Sequence, residues 1–96
     1  MRIKTFVITK GVHKHQLENK EFHKAVYDCL HAFQCYNWGE CCENDALMND
    51  KALETGDMIL GNYDVPSSPE NKLWVIADPA DQDGKRVVTV LFPSEY

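Results

Sequence analysis

MILGNYDVPSSPENKLWVIADPADQDGKRVVTVLF, residues 58–92, is the stretch that decides the fold. Its apolar residues recur with a period of two. Met58, Leu60 and Asn62 alternate with Ile59, Gly61 and Tyr63, and further runs extend over Lys72 to Ala77 and Arg86 to Phe92. Such alternation in β-branched and aromatic residues predicts strands two, three and four of the chain. Val65 to Asn71, with Pro66, Ser67, Ser68 and Pro69, reads as a long hairpin loop, and the Asp-, Pro- and Gly-rich run Asp78 to Gly84 reads as a second turn. Three consecutive antiparallel strands follow.

Upstream the period lengthens. Arg2 to Ile8 alternates and is stopped by Gly11, which predicts a first strand over residues 2–8. Thr9 to Glu18 has room for a short helix, weakened by Gly11 and Val12. From Asn19, a good N-cap, Phe22, Ala25, Val26, Cys29, Leu30 and Phe33 fall at spacings of three and four and form one apolar stripe, opposed by Lys20, His23, Lys24, Asp28 and His31. After the connector Cys35-Tyr36-Asn37-Trp38-Gly39, a third helix is expected over Glu40 to Leu53. Cys42, Ala46, Leu47, Met48 and Leu53 would form its apolar side, with Glu40 and Glu43 in its first turn and Thr55-Gly56 as its stop. The order β-α-α-(α)-β-β-β implies one α+β domain over residues 1–96, a four-stranded antiparallel sheet with two or three helices on one face.

Ninety-six residues with 44% hydrophobic and 10% aromatic content suit one globular domain with a single core. There is no apolar run of about 18 residues, so no membrane span is expected. The N-terminus reads as a strand, not as a secretory leader, which places the protein in the cytoplasm and its four cysteines (Cys29, Cys35, Cys41, Cys42) as reduced thiols.

Charge is sorted along the chain. Residues 1–24 carry six Lys/Arg and two Asp/Glu, and residues 25–96 carry four Lys/Arg and thirteen Asp/Glu, or +4 against −9. The densest acidic stretch is Glu40, Glu43, Asp45, Asp50, Glu54 and Asp57, with Lys51 its sole cation. Such a field attracts basic partners and repels nucleic acid. Two readings of it stand open: a solvated helix face, or a row of carboxylates imitating phosphates toward a basic groove. Tyr36 and Trp38 beside it would supply an aromatic anchor if exposed, with core packing of Trp38 as the alternative. Phe92 and Tyr96 either cap the core or pair with a second chain. The expected state is a monomer or small homo-oligomer.

No constellation dictates a reaction, and no catalytic residue, cofactor or metal is assigned. Four His and four Cys fall between Val12 and Glu43, but paired zinc-ligand spacing is missing, and adjacent Cys41 and Cys42 do not readily serve one tetrahedral ion. A thiol nucleophile at Cys41 or Cys42 would sit beside Glu40 and Glu43, which oppose thiolate formation. Asp78, Asp81 and Asp83 lack calcium-loop spacing, and the glycines are scattered singly, so no phosphate loop forms. The basic set Arg2, Lys4, Lys10, Lys14, Lys20 and Lys24 reads as a solvated face, because a net charge of −5 opposes direct nucleic-acid binding.

The element order resembles that of RelE/ParE-type toxins, whose ribonuclease members use basic and tyrosine residues on the sheet. Strands two to four offer only Lys72, Lys85, Arg86, Tyr63 and Tyr96 for such work, and no catalytic residue is carried over. In sequence, Trp38-Gly39, Asn49-Asp50-Lys51-Ala52-Leu53 leading to Gly56, Tyr63, Leu73-Trp74-Val75-Ile76 and the ending Thr89-Val90-Leu91-Phe92-Pro93-Ser94-Glu95-Tyr96 resemble a family of small proteins of Firmicutes plasmids, conjugative elements and prophages. The chain departs from that pattern at Asn37, where Asp is usual, and at Ala77-Asp78-Pro79, where a Glu-Trp-Asp-Arg-like run is usual. The resemblance implies carriage on mobile DNA. In that setting small acidic proteins are often inhibitors of host defence, so the expected function is a non-enzymatic, anti-CRISPR-like inhibitor acting on a protein with a basic nucleic-acid-binding surface, a CRISPR effector. A toxin or another accessory of a mobile element is the alternative.

Overall fold

Asn19 separates the first two helices by serving both. Its N–H donates to the His15 carbonyl at 3.0 Å, and its side-chain oxygen accepts from the Phe22 N–H at 3.0 Å. The computed structural model, which describes residues 1–96, thus places α1 at Lys10–Glu18 and α2 at Lys20–Gln34. Thr9 caps α1 by accepting from the Val12 N–H, so the short helix forms in spite of Gly11. A Cβ at Gly11 would lie 2.8 Å from a Glu95 carboxylate oxygen, the end of an exposed side chain that can move aside. α2 buries Phe22, Val26, Cys29, Leu30 and Phe33, as its stripe predicts.

The remaining elements are β1 (Arg2–Ile8), α3 (Glu43–Thr55), β2 (Ile59–Asp64), β3 (Lys72–Ala77), β4 (Lys85–Leu91) and a 3-10 turn at Pro93–Glu95. The fold is α+β with three helices and one four-stranded sheet in the order β1-β4-β3-β2. The sheet is mixed, which corrects the expectation of a wholly antiparallel one: β2, β3 and β4 are antiparallel neighbours, but β1 runs parallel to β4. Hairpin turns force each C-terminal strand to reverse. The helical segment between β1 and β2 imposes no such reversal, and β1 docks on the far side of the meander.

Register explains which side chains enter the core. Ile3 pairs with Arg86 and Thr5 with Val87, so Lys4 is an extra residue, a bulge. The bulge sets Ile3, Phe6 and Ile8 on the same side as Val88 and Val90, beneath the helices, and leaves Thr5 and Val7 on the other. Simple alternation would have separated Ile3 from Phe6. Ile59, Tyr63, Leu73, Val75, Ala77, Val88 and Val90 complete the sheet's contribution to a core shared with Val12 and the α2 stripe. Phe92, just beyond β4, is buried and lies 5.7 Å from the Phe22 ring, so it caps the core; Tyr96 is exposed and packs edge-on against Trp74.

α2 ends in a Schellman arrangement. The Tyr36 and Asn37 N–H groups return to the Phe33 and Ala32 carbonyls, and Tyr36 takes the left-handed position, φ 63°, that glycine usually fills. The connector then runs along β2. Gly39 has φ +76°, and a Cβ on it would lie 2.2 Å from the Asn62 carbonyl oxygen, so only glycine fits between connector and strand.

Candidate functional site

α3 is placed by its two ends and by one polar residue at its centre. It starts at Glu43, not Glu40, with Cys42 in the capping position, and Glu43 and Asp45 occupy the first turn, where carboxylates suit the helix dipole. Gly56, φ +83°, closes it by donating to the Ala52 carbonyl. At the centre, the buried Asn49 carboxamide donates to the Leu60 carbonyl at 2.9 Å and accepts from the Leu60 N–H at 3.4 Å, pairing with β2 as a strand would. At the C-terminal end, the buried Arg86 guanidinium donates to the carbonyls of Ala52 (2.8 Å), Asp57 (2.6 Å) and Asp78 (3.1 Å). Burial lowers its pKa, offset in part by Asp57.

These anchors set the rotation of α3 and overturn its expected apolar side. Asn49 and Ala52 face inward, with Ala46 and Leu53 half-buried, whereas Cys42, Leu47 and Met48 are exposed. Turning Leu47 and Met48 inward would take Asn49 off the edge of β2. Glu43, Leu47, Asp50 and Glu54, spaced by 4, 3 and 4 residues, therefore form one outward stripe.

The candidate residues divide as follows. Glu40, Glu43, Asp45, Asp50, Glu54 and Asp57 are all exposed. The chain's three ion pairs, Lys4–Asp81, Lys24–Asp28 and Lys72–Asp64, involve none of them. Glu40 lies before the helix, where its N–H donates to the Asn62 carbonyl, and Asp45 and Asp57 line a groove between α3 and β2 with Lys51, Met48 and Met58. Asp57 accepts from the Thr55 hydroxyl at 2.8 Å. Asp50 accepts from the Trp38 indole N–H at 2.9 Å, so it also serves the fold.

Trp38 is not an exposed anchor. It is 4% exposed, packs edge-to-face on Phe33 at 5.2 Å, and belongs to the core. Its connector is tied to β2 by the Asn62 N–H bond to the Trp38 carbonyl. Tyr36 is 46% exposed, leans over Trp38 at 5.9 Å, and accepts from the N-terminal amine at 2.8 Å through its hydroxyl. Of the aromatic pair, Tyr36 alone is available to a partner.

The groups considered for chemistry have structural partners. The Cys41 thiol donates to the Trp38 carbonyl at 3.3 Å, and burial raises its pKa, with Asp45 and Cys42 adding to the rise and an Asn62 backbone hydrogen bond opposing it. Burial, then Asp28, pushes Cys29 up to about 11. The buried Tyr63 hydroxyl donates to the Asn37 carbonyl, and burial raises its pKa too. His15 contacts the Ser67 carbonyl, and His31 lies 3.8 Å from Cys35 on the surface of α2. No three His, Cys, Asp or Glu side chains converge as metal ligands. Of the cations weighed for RNA, Arg86 is buried and Lys72 is paired with Asp64.

The anchoring roles of Asn49 and Arg86 are what sequence reading did not assign. Arg86 carried a signal, since it shares the strand parity of buried Val88 and Val90. No helix is long and apolar enough to cross a membrane. Comparison of the chain with protein-family models, curated proteins and solved structures finds no match.

Proposed function

We propose that this chain is a non-enzymatic cytoplasmic inhibitor that presents the acidic side of α3 to a basic nucleic-acid-binding surface of a host defence complex, a CRISPR effector being the foremost case. The observation that carries this reading is the set of six exposed carboxylates from Glu40 to Asp57, none of them in an ion pair within the chain. A field left uncompensated at home is available to a partner, and it steers association with a basic groove at a rate that salt suppresses. Leu47 and Met48, 59% and 69% exposed, lie among these carboxylates and supply apolar contact that a purely solvated face would not need. The likeness to small mobile-element proteins supports a target in host defence.

The test is affinity capture of the tagged chain from bacteria expressing CRISPR effectors, at low and at high salt, with bound proteins identified by mass spectrometry. Recovery of an effector subunit that is lost at high salt is expected. Recovery of ribosomes or of a toxin, or no effector at either salt concentration, would overturn the reading.

A further inference from the structure

The end of α2 holds the chain's one contact between a thiol and an imidazole. His31 and Cys35 are four residues apart, so they share a face of the helix, and both are exposed. Cys35 Sγ lies 3.8 Å from His31 Nε2, and neither side chain has another hydrogen-bond partner. The remaining thiols and rings offer no such pair: Cys29 is buried, the Cys41 thiol donates to the Trp38 carbonyl, His15 contacts the Ser67 carbonyl, and His23 packs edge-on against Tyr27. The surroundings of the pair are free of competing cations. Residues 25–35 contain no Lys or Arg, and the cleft beside His31 is formed by Phe6, Ile8, Tyr27, Leu30 and Gln34. The pair also lies at the negative end of the helix dipole, which favours a bound cation.

We propose that His31 Nε2 and Cys35 Sγ chelate a zinc ion on the surface of α2. Tetrahedral zinc, with Zn–S of about 2.3 Å and Zn–N of about 2.0 Å, holds two such donors about 3.5 Å apart. The donor atoms stand 3.8 Å apart before any metal arrives, so a small turn of two exposed side chains completes the geometry. Ligands at i and i+4 on one helix face have the spacing by which paired histidines hold zinc. A thiolate with an imidazole selects zinc over magnesium and calcium, which take oxygen donors. On binding, the S–H bond breaks as the S–Zn bond forms, and the thiol proton passes to water. No third His, Cys, Asp or Glu completes the set, which leaves the other two positions of the ion to water. Both ligands are exposed and the core lies elsewhere, so the ion sits on a finished fold and does not organise it.

The test is iodoacetamide labelling of the full chain over a titration with Zn2+, read at each cysteine by peptide mass spectrometry. At zinc about ten times the midpoint of the titration the free thiol falls to about a tenth, so labelling of Cys35 should slow about tenfold while that of the equally exposed Cys42 does not. His31→Ala, at an exposed helix position, should abolish the protection with an unchanged circular dichroism spectrum. Co2+ in place of zinc should give a thiolate-to-cobalt charge-transfer band in the near ultraviolet that is lost in Cys35→Ser. No protection of Cys35, equal protection of Cys35 and Cys42, protection that survives His31→Ala, or a cobalt band that survives Cys35→Ser would overturn the proposal. Since it does not rest on the inhibitor reading, an effector that is not captured leaves it standing.

Discussion

Arg86→Met should cost roughly 3 kcal/mol of stability, because Arg86 is the fastening between α3 and the sheet. Its guanidinium supplies three hydrogen bonds to carbonyls at 2.6, 2.8 and 3.1 Å and meets no carboxylate within ion-pair distance. A net contribution of about 1.5–3 kcal/mol is typical of a hydrogen bond to a charged group. The three do not add in full: the Ala52 carbonyl keeps the Gly56 N–H as a donor, water can reach the exposed Asp57 and Asp78, and methionine avoids the cost of desolvating a cation. About 1 kcal/mol for each bond lost is therefore the working figure, against roughly 5–15 kcal/mol for a domain of this size. Urea unfolding followed by tryptophan fluorescence and far-ultraviolet circular dichroism should show a lowered midpoint with an unchanged slope, and a melting temperature lower by roughly 15 °C. Arg86→Lys should fall between, since an ammonium cannot span the three acceptors. A loss below about 1 kcal/mol for Arg86→Met would refute the claim that this residue holds α3 in place.

Three further outcomes follow from individual side chains. Asp50→Asn keeps an oxygen for the Trp38 indole and should be nearly neutral in denaturant unfolding, whereas Asp50→Ala should lose about 1–2 kcal/mol and red-shift the fluorescence. Iodoacetamide at mildly alkaline pH should modify exposed Cys35 and Cys42 first, Cys41 later, and Cys29, pushed up to about 11 by burial, only on unfolding; early labelling of Cys29, read by peptide mass spectrometry, would contradict the core as described. The Asp81 carboxylate accepts from the Lys85 and Asp83 N–H groups at 2.8 and 2.9 Å, which holds its pKa below the usual carboxylate range, with Lys4 and Lys85 assisting. A depressed folded-state pKa stabilises above the unfolded value and ceases to do so as pH falls through the folded one. The stability difference between the wild type and Asp81→Asn should therefore be present at neutral pH and vanish on strong acidification, and a difference independent of pH would contradict it.

Much of the fold is legible in local pattern. Asn19 as a cap, the Phe22-to-Phe33 stripe and the Thr55-Gly56 stop all lie where nearest-neighbour chemistry puts them, because caps and amphipathic faces are decided within a few residues. The direction of β1 was not legible, since alternation carries no strand direction and a helical crossover permits either. The Lys4 bulge was hidden because it reconciles two candidate faces, Ile3 on one and Phe6 with Ile8 on the other, that the sequence presents as alternatives. The rotation of α3 and the burial of Trp38 both rest on contacts between residues 11 and 12 apart in sequence: the pairing of Asn49 with Leu60 outweighs the apolar surface of Leu47 and Met48, whereas the bond from Trp38 to Asp50 lets the indole enter the core with its N–H satisfied. The acidic segment was legible as composition. That Asp50 also supports the fold, and that Glu40 lies outside the helix, were not.

In the proposed function, free carboxylates on α3 compete with nucleic acid for a basic groove. The direct measurement is displacement of fluorescent duplex DNA from a purified, guide-loaded CRISPR effector recovered in the capture experiment, comparing the wild type with Glu43→Lys/Asp45→Lys/Glu54→Lys and leaving Asp50 to hold Trp38. The wild type should displace the DNA, less well as salt rises, and the triple variant, folded with an unchanged circular dichroism spectrum but a somewhat lower urea midpoint because Glu43 and Asp45 leave the first turn of α3, should not. Equal displacement by the folded variant would contradict the account.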